Sequence, residues 1–306
     1  MADAVCGTPH DIETPEIYHF LHPSRGSYVQ TGRFTSCIGL SIPHLLRTFG
    51  DKQQLGPNIT GTSMDNPFQR QVRLSLFDYM LRAGVSAGRL NTQQRLTDDI
   101  HQQVEMQPTD PARVVAGMVC TFNRRNYRIN KNILCLNHKH DKEEHFCDST
   151  SFFSRAHIVT GINLVRQLLA EGIVHPTEVF IITGYEAQHK AYLAAVTYCH
   201  EHDAPGSEDW LNVHVHKIDT FQGKEANIAA IVDLVRMSQL GFMREPQRLN
   251  VACSRVRFGL YILYNQTGMK NALNRTPAFF VKAMLQDISE NQLSYPAPAT
   301  DYESEL

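Results

Sequence analysis

The stretch "HKIDTFQGKEANIAAIVDLVR" (residues 216–236) places a short polar turn between two apolar runs. Ahead of the turn, "VHVHKID" (213–219) alternates apolar and polar side chains, as a strand with one buried face does. After the turn, "NIAAIVDLVR" (227–236) is almost continuously apolar, which is typical of a strand buried on both faces. Gly223 permits a tight backbone turn between them. A plain connection and a functional turn both remain open at this point.

Working outward, strand-like and helix-like segments alternate along the chain. Short apolar runs predict strands at 132–137, 178–185 and 259–265, and amphipathic patterns predict helices at 75–84, 157–172, 186–202 and 247–256. Strands that alternate with helices of this length are typical of βαβ units. The sequence therefore predicts an α/β fold in which helices flank a parallel sheet.

The composition is that of an ordinary globular protein. The 306 residues are 42% hydrophobic and 20% charged, with a formal net charge of −2. No apolar run reaches the length of about 18 residues that a membrane helix needs, so we expect no membrane partner. The N-terminal residues are acidic and lack a secretory signal. Seven scattered cysteines indicate reduced thiols and a cytoplasmic or nuclear location.

Cysteine and histidine cluster in "CLNHKHDKEEHFC" (residues 135–147). Thiolates and imidazoles are preferred zinc ligands, but the spacing is not that of a paired-knuckle site. A zinc site and a polar surface loop are the two alternatives, and we predict no metal.

Two basic stretches are candidates for phosphate binding. In "TFNRRNYRINK" (121–131), basic residues alternate with aromatic ones, which suits either nucleic acid or a solvated basic loop. In "RLNVACSRVR" (248–257), Arg255 follows Arg248 by two helical turns, so the two side chains point the same way. This stretch, "TGYEAQ" (183–188) and "DTFQGKEAN" (219–227) are expected to face one common edge of the sheet. A solvated face that pairs with carboxylates is the alternative for the arginines.

These stretches resemble the motifs of superfamily 1 helicases, most closely the up-frameshift-like branch. "IDTFQGKEANI" and "QRLNVACSRVRFGLYILYN" are similar to motifs V and VI, and "FIITGYEAQ" is similar to the family's "ITPY..Q". "FGDKQQLGP" (49–57) resembles motif III, and "LNTQQRL" (90–96) stands where the family has "QYRM". The order and spacing agree from about residue 48 to residue 266. The resemblance implies a RecA-like fold and a helicase that uses ATP and Mg²⁺.

The resemblance also implies roles for single residues. Gln54 matches the motif III glutamine that senses the terminal phosphate, and Arg95 matches the phosphate-contacting arginine of "QYR". Glu225 matches a glutamate at the nucleotide edge. Arg255 matches the arginine finger, a group that raises rates by about 10³–10⁵ in other nucleotide hydrolases. The matched positions in the segments that contact nucleic acid, or couple it to the nucleotide, are Thr183, Tyr185, Asp219 and Thr220.

Departures from the family pattern limit what this chain is expected to do alone. The 306 residues contain no G-x-x-x-x-G-K-S/T loop to hold phosphate and no Asp-Glu pair after an apolar strand to hold magnesium. Gln94 replaces an aromatic residue beside Arg95, and Cys253 precedes Ser254 in motif VI. We therefore expect weak or absent ATP binding by the isolated chain.

The resemblance implies a domain organisation. Residues 1–44 are expected to be a divergent segment, 45–90 a remnant of the first RecA-like domain, 91–285 the second, and 286–306 a disordered acidic tail. The implied function is that of the C-terminal part of an ATP-dependent helicase acting on single-stranded RNA or DNA. Either the chain is a truncated gene product, or the missing half is supplied by another protein. The alternatives are a non-catalytic module that binds nucleic acid or protein, and a subunit that presents Arg255 to another ATPase.

Overall fold

A computed structural model describes residues 27–30, 46–49, 74, 76–84, 111–139, 142–145, 150–203, 210–221, 226–235 and 239–298. The chain divides into two compact units, Met1–Thr92 and Gln93–Leu306.

In the first unit, two short parallel strands pair with each other. Strand β1 (Ser27–Gln30) lies beside β2 (Leu46–Phe49), with Ser27 opposite Leu46. Helix α1 (Leu76–Arg82) confirms the helix predicted at residues 75–84. The helix ends before Gly84, whose φ of 82° suits a residue without a Cβ.

The second unit contains a parallel sheet of six strands among its described residues. Its spatial order is β10-β3-β9-β8-β6-β7, and every neighbouring pair is parallel. A two-residue antiparallel pair, β4 with β5, lies outside this sheet. The strands are β3 (Ile133–Asn137), β4 (Glu144–His145), β5 (Phe152–Phe153), β6 (Val179–Thr183), β7 (His214–Lys217), β8 (Ala229–Asp233), β9 (Gly259–Tyr264) and β10 (Ser294–Pro296).

Helices connect the parallel strands, and the predicted RecA-like α/β architecture is confirmed. Helix α3 begins where the Ser154 hydroxyl caps the His157 N–H at 3.1 Å, and it ends before Gly172 at a φ of 64°. The helices of this unit are α2 (Pro111–Tyr127), α3 (Arg155–Ala170), α4 (Glu186–His202), α5 (Pro246–Cys253), α6 (Gln266–Arg275) and α7 (Phe279–Glu290). No helix in the described part of the chain is long and apolar enough to cross a bilayer.

The main core lies between one face of the sheet and helices α3 and α4. Leu168 of α3 and Val196 of α4 belong to the same buried cluster as Ile181 and Ile231 of the central strands. The alternate side chains of those strands, such as Val232, are buried as well. Both sheet faces are therefore covered, which explains why the central strands read as continuous apolar runs. Trp210 is buried in this cluster as well.

The end of the chain differs from the prediction. A disordered tail from residue 286 is wrong for residues 286–298, because α7 continues to Glu290 and β10 joins the sheet beside β3. Leu293 is buried, and its carbonyl accepts a hydrogen bond from the Cys135 N–H at 2.8 Å. Backbone pairing and one buried leucine hold this segment, so its acidic, proline-bearing composition was a poor guide. Residues 299–306 lie outside the described part.

Candidate functional site

Two of the predicted nucleic-acid residues lie at the carboxyl end of β6. Thr183 ends this strand and stands in register with Lys217 of β7 and Asp233 of β8. Its side chain is 0% exposed, and Tyr185, the N-cap residue of α4, is 7% exposed. Both side chains are therefore buried below the surface at this edge of the sheet.

A buried polar network occupies the same edge. The Asp233 carboxylate accepts hydrogen bonds from Gln188 Nε2 at 2.6 Å and from the Tyr192 hydroxyl at 2.8 Å. His157 Nδ1 lies 2.7 Å from its other oxygen, Oδ1. Burial, followed by the Asp233 charge, raises the pKa of Tyr192 well above its usual value. We call His157, Gln188, Tyr192 and Asp233 the Asp233 network.

The Asp233 network ties the first turns of two helices to the carboxyl end of β8. Gln188 contributes through both ends of its amide, because its Oε1 accepts the Ser154 N–H at 2.7 Å. Sequence reasoning missed this network. The available signal was an aspartate inside the apolar run 227–236, since a buried carboxylate requires partners.

The cysteine and histidine stretch contributes to the core here. Cys135 is buried within β3, and burial raises the pKa of its thiol. The ring of His138 packs on His157 at 4.3 Å between centroids, and burial followed by the His157 charge lowers the pKa of His138 to about 2. Among the residues the structure describes, no group of three or more possible metal ligands assembles. Cys135 and His138, two described members of the stretch, are therefore packed in the interior of the second unit.

The other two predicted nucleic-acid residues follow β7 in a short 3-10 turn, Ile218–Thr220. The Thr220 hydroxyl donates to the Lys217 carbonyl at 3.0 Å. The Asp219 carboxylate accepts from Arg248 Nε at 3.0 Å, and Arg248 Nη1 donates to Glu245 at 2.6 Å. Arg248 is a buried cross-link between two carboxylates. Of the two alternatives drawn from the sequence, pairing with carboxylates describes Arg248, but its side chain is buried and not part of a solvated face.

Arg255 lies at the opposite edge of the sheet, contrary to the expectation of one common edge. Helix α5 runs back from the carboxyl end of β8, so motif VI ends at the amino end of β9. Ala226 forms a parallel bridge with Val256, and its N–H donates to the Arg255 carbonyl at 2.7 Å. The residue is 3% exposed. A helix antiparallel to the strands must carry its two ends to different edges, which is the reason for the error.

The remaining predicted nucleotide residues lie outside the described part of the chain: Gln54, Arg95 and Glu225. The structure therefore brings the backbone of Arg255 next to the residue that follows Glu225. Ala226 and Arg255 both lie at the amino edge of the sheet, away from Thr183 and Tyr185 at the carboxyl edge.

Most of the chain is similar to known proteins. A family described as an AAA domain matches residues 72–267. The chain is similar to ATP-dependent helicase NAM7 of Saccharomyces cerevisiae, with 28% identity over 228 residues, 71% of this chain and 22% of that protein. It is 34% identical over 131 residues to regulator of nonsense transcripts 1 of Caenorhabditis elegans, covering 42% of this chain and 12% of that protein. NFX1-type zinc finger-containing protein 1 of Mus musculus is 27% identical over 241 residues, 74% of this chain and 11% of that protein.

The chain thus spans between 11% and 22% of the length of these three relatives. The family match covers more than half of the chain and includes Thr183, Asp219 and Arg255. The parallel sheet and this match agree with the resemblance seen in the motifs. The chain belongs to the AAA domain family and to the up-frameshift-like branch of superfamily 1 helicases.

Proposed function

We propose that the chain acts as the C-terminal part of an ATP-dependent helicase on single-stranded RNA or DNA, contributing motifs III to VI. The observation that carries the proposal is the hydrogen bond from the Ala226 N–H to the Arg255 carbonyl. This bond joins the end of the motif V segment to motif VI at the amino edge, while Thr183, Asp219 and Thr220 lie at the carboxyl edge. One segment thus runs between the two predicted sites, as a unit that links nucleic acid to nucleotide requires.

At the amino edge, we propose that Arg255 and Gln54 serve catalysis, and that Arg95 and Glu225 complete the nucleotide contacts. Buried Arg255 suits this role because a guanidinium keeps its charge even in a poorly solvated place. ATP with Mg²⁺ would supply the phosphoryl group whose hydrolysis drives movement. The chain offers one side of such a site, because its 306 residues contain no G-x-x-x-x-G-K-S/T loop. We therefore propose that a protein supplying the other half is needed for tight binding.

At the carboxyl edge, we propose that Thr220 and Asp219 contact the strand directly and that Thr183 and Tyr185 support them from below. The first pair is accessible, whereas the second pair is buried. RNA is the first substrate to test, because the Caenorhabditis elegans relative carries a name that refers to nonsense transcripts. A cytoplasmic or nuclear location is proposed with it.

A second candidate is a non-catalytic module that binds nucleic acid or protein. The missing phosphate loop favours it for the isolated chain. The two candidates differ in one measurable respect. A non-catalytic module binds nucleic acid with the same affinity with and without ATP, even when the partner half is present.

The test is a fluorescence anisotropy titration of the purified chain with labelled single-stranded RNA and DNA, with and without Mg-ATP. The helicase proposal expects binding that Thr220→Ala weakens. It also expects an ATP response that appears only with the partner half and is lost in Arg255→Gln. Binding that stays insensitive to ATP with the partner half present supports the non-catalytic module. ATP hydrolysis by the isolated chain at the rate of a complete relative would contradict the expected dependence on a partner.

A further inference from the structure

Exposed arginines gather at the C-terminal end of α2, away from the carboxyl-edge residues proposed above to contact nucleic acid. Residues 111–140 contain no Asp or Glu, and Arg124, Arg125 and Arg128 are all exposed. The sequence left this stretch open between nucleic-acid binding and a solvated basic loop. The loop is wrong for residues 121–127, which belong to α2.

The topology places these arginines at the amino edge of the sheet. The chain passes directly from α2 into β3, and the Asn132 side chain donates to the Phe258 carbonyl at 3.0 Å, just before β9. Arg257, which is exposed, precedes β9 and lies 5.3 Å from the centre of the Phe258 ring. We call Arg124, Arg128, Lys131 and Arg257 the α2 basic surface.

One arginine of the group has an acidic partner. Arg125 forms an ion pair with Glu171 across the end of α3. Arg124 and Arg128 form no ion pair with any described residue, and their side chains reach solvent. Two full positive charges therefore remain available beside Lys131 and Arg257. A surface of this kind attracts phosphate groups.

The aromatic side chains of the same stretch are occupied. Phe122 is 1% exposed, and the Tyr127 hydroxyl donates to Gln167 at 2.9 Å while its ring packs edge-on against Tyr295. Phe122 is therefore closed to base stacking, and the half-buried Tyr127 ring already packs against another ring. Any nucleic acid at the surface would be held through its backbone, which single strands and duplexes share.

The backbone at Arg128 provides an independent observation. Helix α2 ends in an αL motif, in which the Arg128 N–H donates to the Arg124 carbonyl at 3.1 Å, and the following Ile129 N–H donates to the Asn123 carbonyl at 3.4 Å. Arg128 has a φ of 60°, a left-handed conformation that favours glycine and strains a residue with a Cβ. Arg124 and Arg125 already supply cations to the last helical turn. Helix stabilisation therefore gives no reason for an arginine at 128, whereas a binding role does.

We propose that the α2 basic surface binds the phosphodiester backbone of nucleic acid without regard to sequence. This site is separate from the carboxyl-edge residues Thr220 and Asp219. It extends the contact of the chain with nucleic acid to the other edge of the sheet.

The test measures folding and binding on the same variants. Arg128→Gly relieves the left-handed strain, so we expect its unfolding midpoint to rise by about 2–4 °C while its affinity falls. In Arg124→Gln/Arg128→Gly, we expect the Kd for a labelled single strand and for the matched duplex to rise about tenfold at about 100 mM salt. The slope of log K against log salt should become shallower by about 1.4 for the single strand, since each lost phosphate contact removes about 0.7.

The matched control is Arg275→Gln/Lys282→Gln, which removes the same charge from exposed positions on α6 and α7. If both double variants weaken binding equally, only the net charge matters and the proposal is overturned. Unchanged binding in Arg124→Gln/Arg128→Gly would also overturn the proposal. So would a double variant that loses binding to an acidic peptide but keeps its binding to nucleic acid. Thr220→Ala is measured separately with the single strand, as the test of the carboxyl edge, so that failure of one site is distinguishable from failure of the other.

Discussion

Arg248 donates a hydrogen bond from Nε to the Asp219 carboxylate at 3.0 Å, so helix α5 is tied to the turn that follows β7. The same guanidinium binds Glu245 at the start of its own helix. These contacts make Arg248 a brace between motifs V and VI, across 29 positions of sequence.

Removal of this brace should loosen the motif V turn without unfolding the chain. We expect Arg248→Met to lower the free energy of unfolding by about 1 kcal/mol, because the lost bonds join charged groups but both carboxylates reach solvent. Urea unfolding of Arg248→Met, Asp219→Asn and the double variant measures the coupling. Strictly additive effects would show that the two side chains do not act together.

Asp233 should be much more sensitive than a surface carboxylate. Asp233→Ala leaves the buried partners His157, Gln188 and Tyr192 without their acceptor, and we expect a loss of about 3–5 kcal/mol in the free energy of unfolding. Asp203→Ala, which breaks the 3.3 Å contact with Arg166 near the surface, is the comparison and should cost under about 1 kcal/mol. Similar costs for the two variants would contradict the buried network.

His138 should make stability depend on pH. Burial, followed by His157, holds the pKa of His138 at about 2, whereas an unfolded histidine has a pKa of about 6.5. The unfolded chain therefore binds more protons in acid. His138 leaves the free energy of unfolding unaffected above about pH 6.5, and lowers it below that pH by up to about 1.4 kcal/mol per pH unit.

His138→Leu should flatten this dependence between about pH 6.5 and pH 4.5. Denaturant unfolding at several pH values measures it, with His202→Leu, a change at an exposed ring, as the control. A His138→Leu curve that runs parallel to the wild-type curve would count against the neutral buried histidine.

Two helical glycines should respond in opposite ways to alanine. A Cβ at Gly161 of α3 would lie 2.6 Å from the Tyr192 hydroxyl, which Asp233 holds in place, so Gly161→Ala should cost about 1–3 kcal/mol. Gly117 of α2 has nothing within 4 Å of such a Cβ, so Gly117→Ala should stabilise by about 0.5–1 kcal/mol.

Thermal unfolding of both alanine variants checks the pair. Tyr192→Phe removes the obstructing hydroxyl and should reduce the cost of Gly161→Ala relative to the cost in the wild-type background. A destabilised Gly117→Ala would mean that the α2 surface is more crowded than the structure shows.

The sequence predicts the periodic elements well. Residues 186–202 are predicted as a helix from their apolar spacing, and α4 spans Glu186–His202. The buried strands follow from apolar runs in the same way, because burial of one or both faces leaves a direct trace in the residue pattern.

Features that depend on long-range contacts leave no such trace. The opposite placement of Thr183 and Arg255 follows from strand order and helix direction, which periodicity does not contain. The Asp233 network joins residues from three elements, and only the single aspartate within an apolar run hinted at it. Ala116, Val119 and Phe122 are buried at helical spacing within α2, but the basic residues that follow them suggested a loop.

Strand β10 pairs with β3, so the last described strand of the sheet lies beside the first. During synthesis β3 leaves the ribosome more than 150 residues before its neighbour. One edge of the nascent sheet must therefore wait, with backbone groups such as the Cys135 N–H unpaired, until residues 293–297 emerge. During this interval, chaperones or rapid completion of the chain must keep the open edge of β3 from pairing with a strand of another copy.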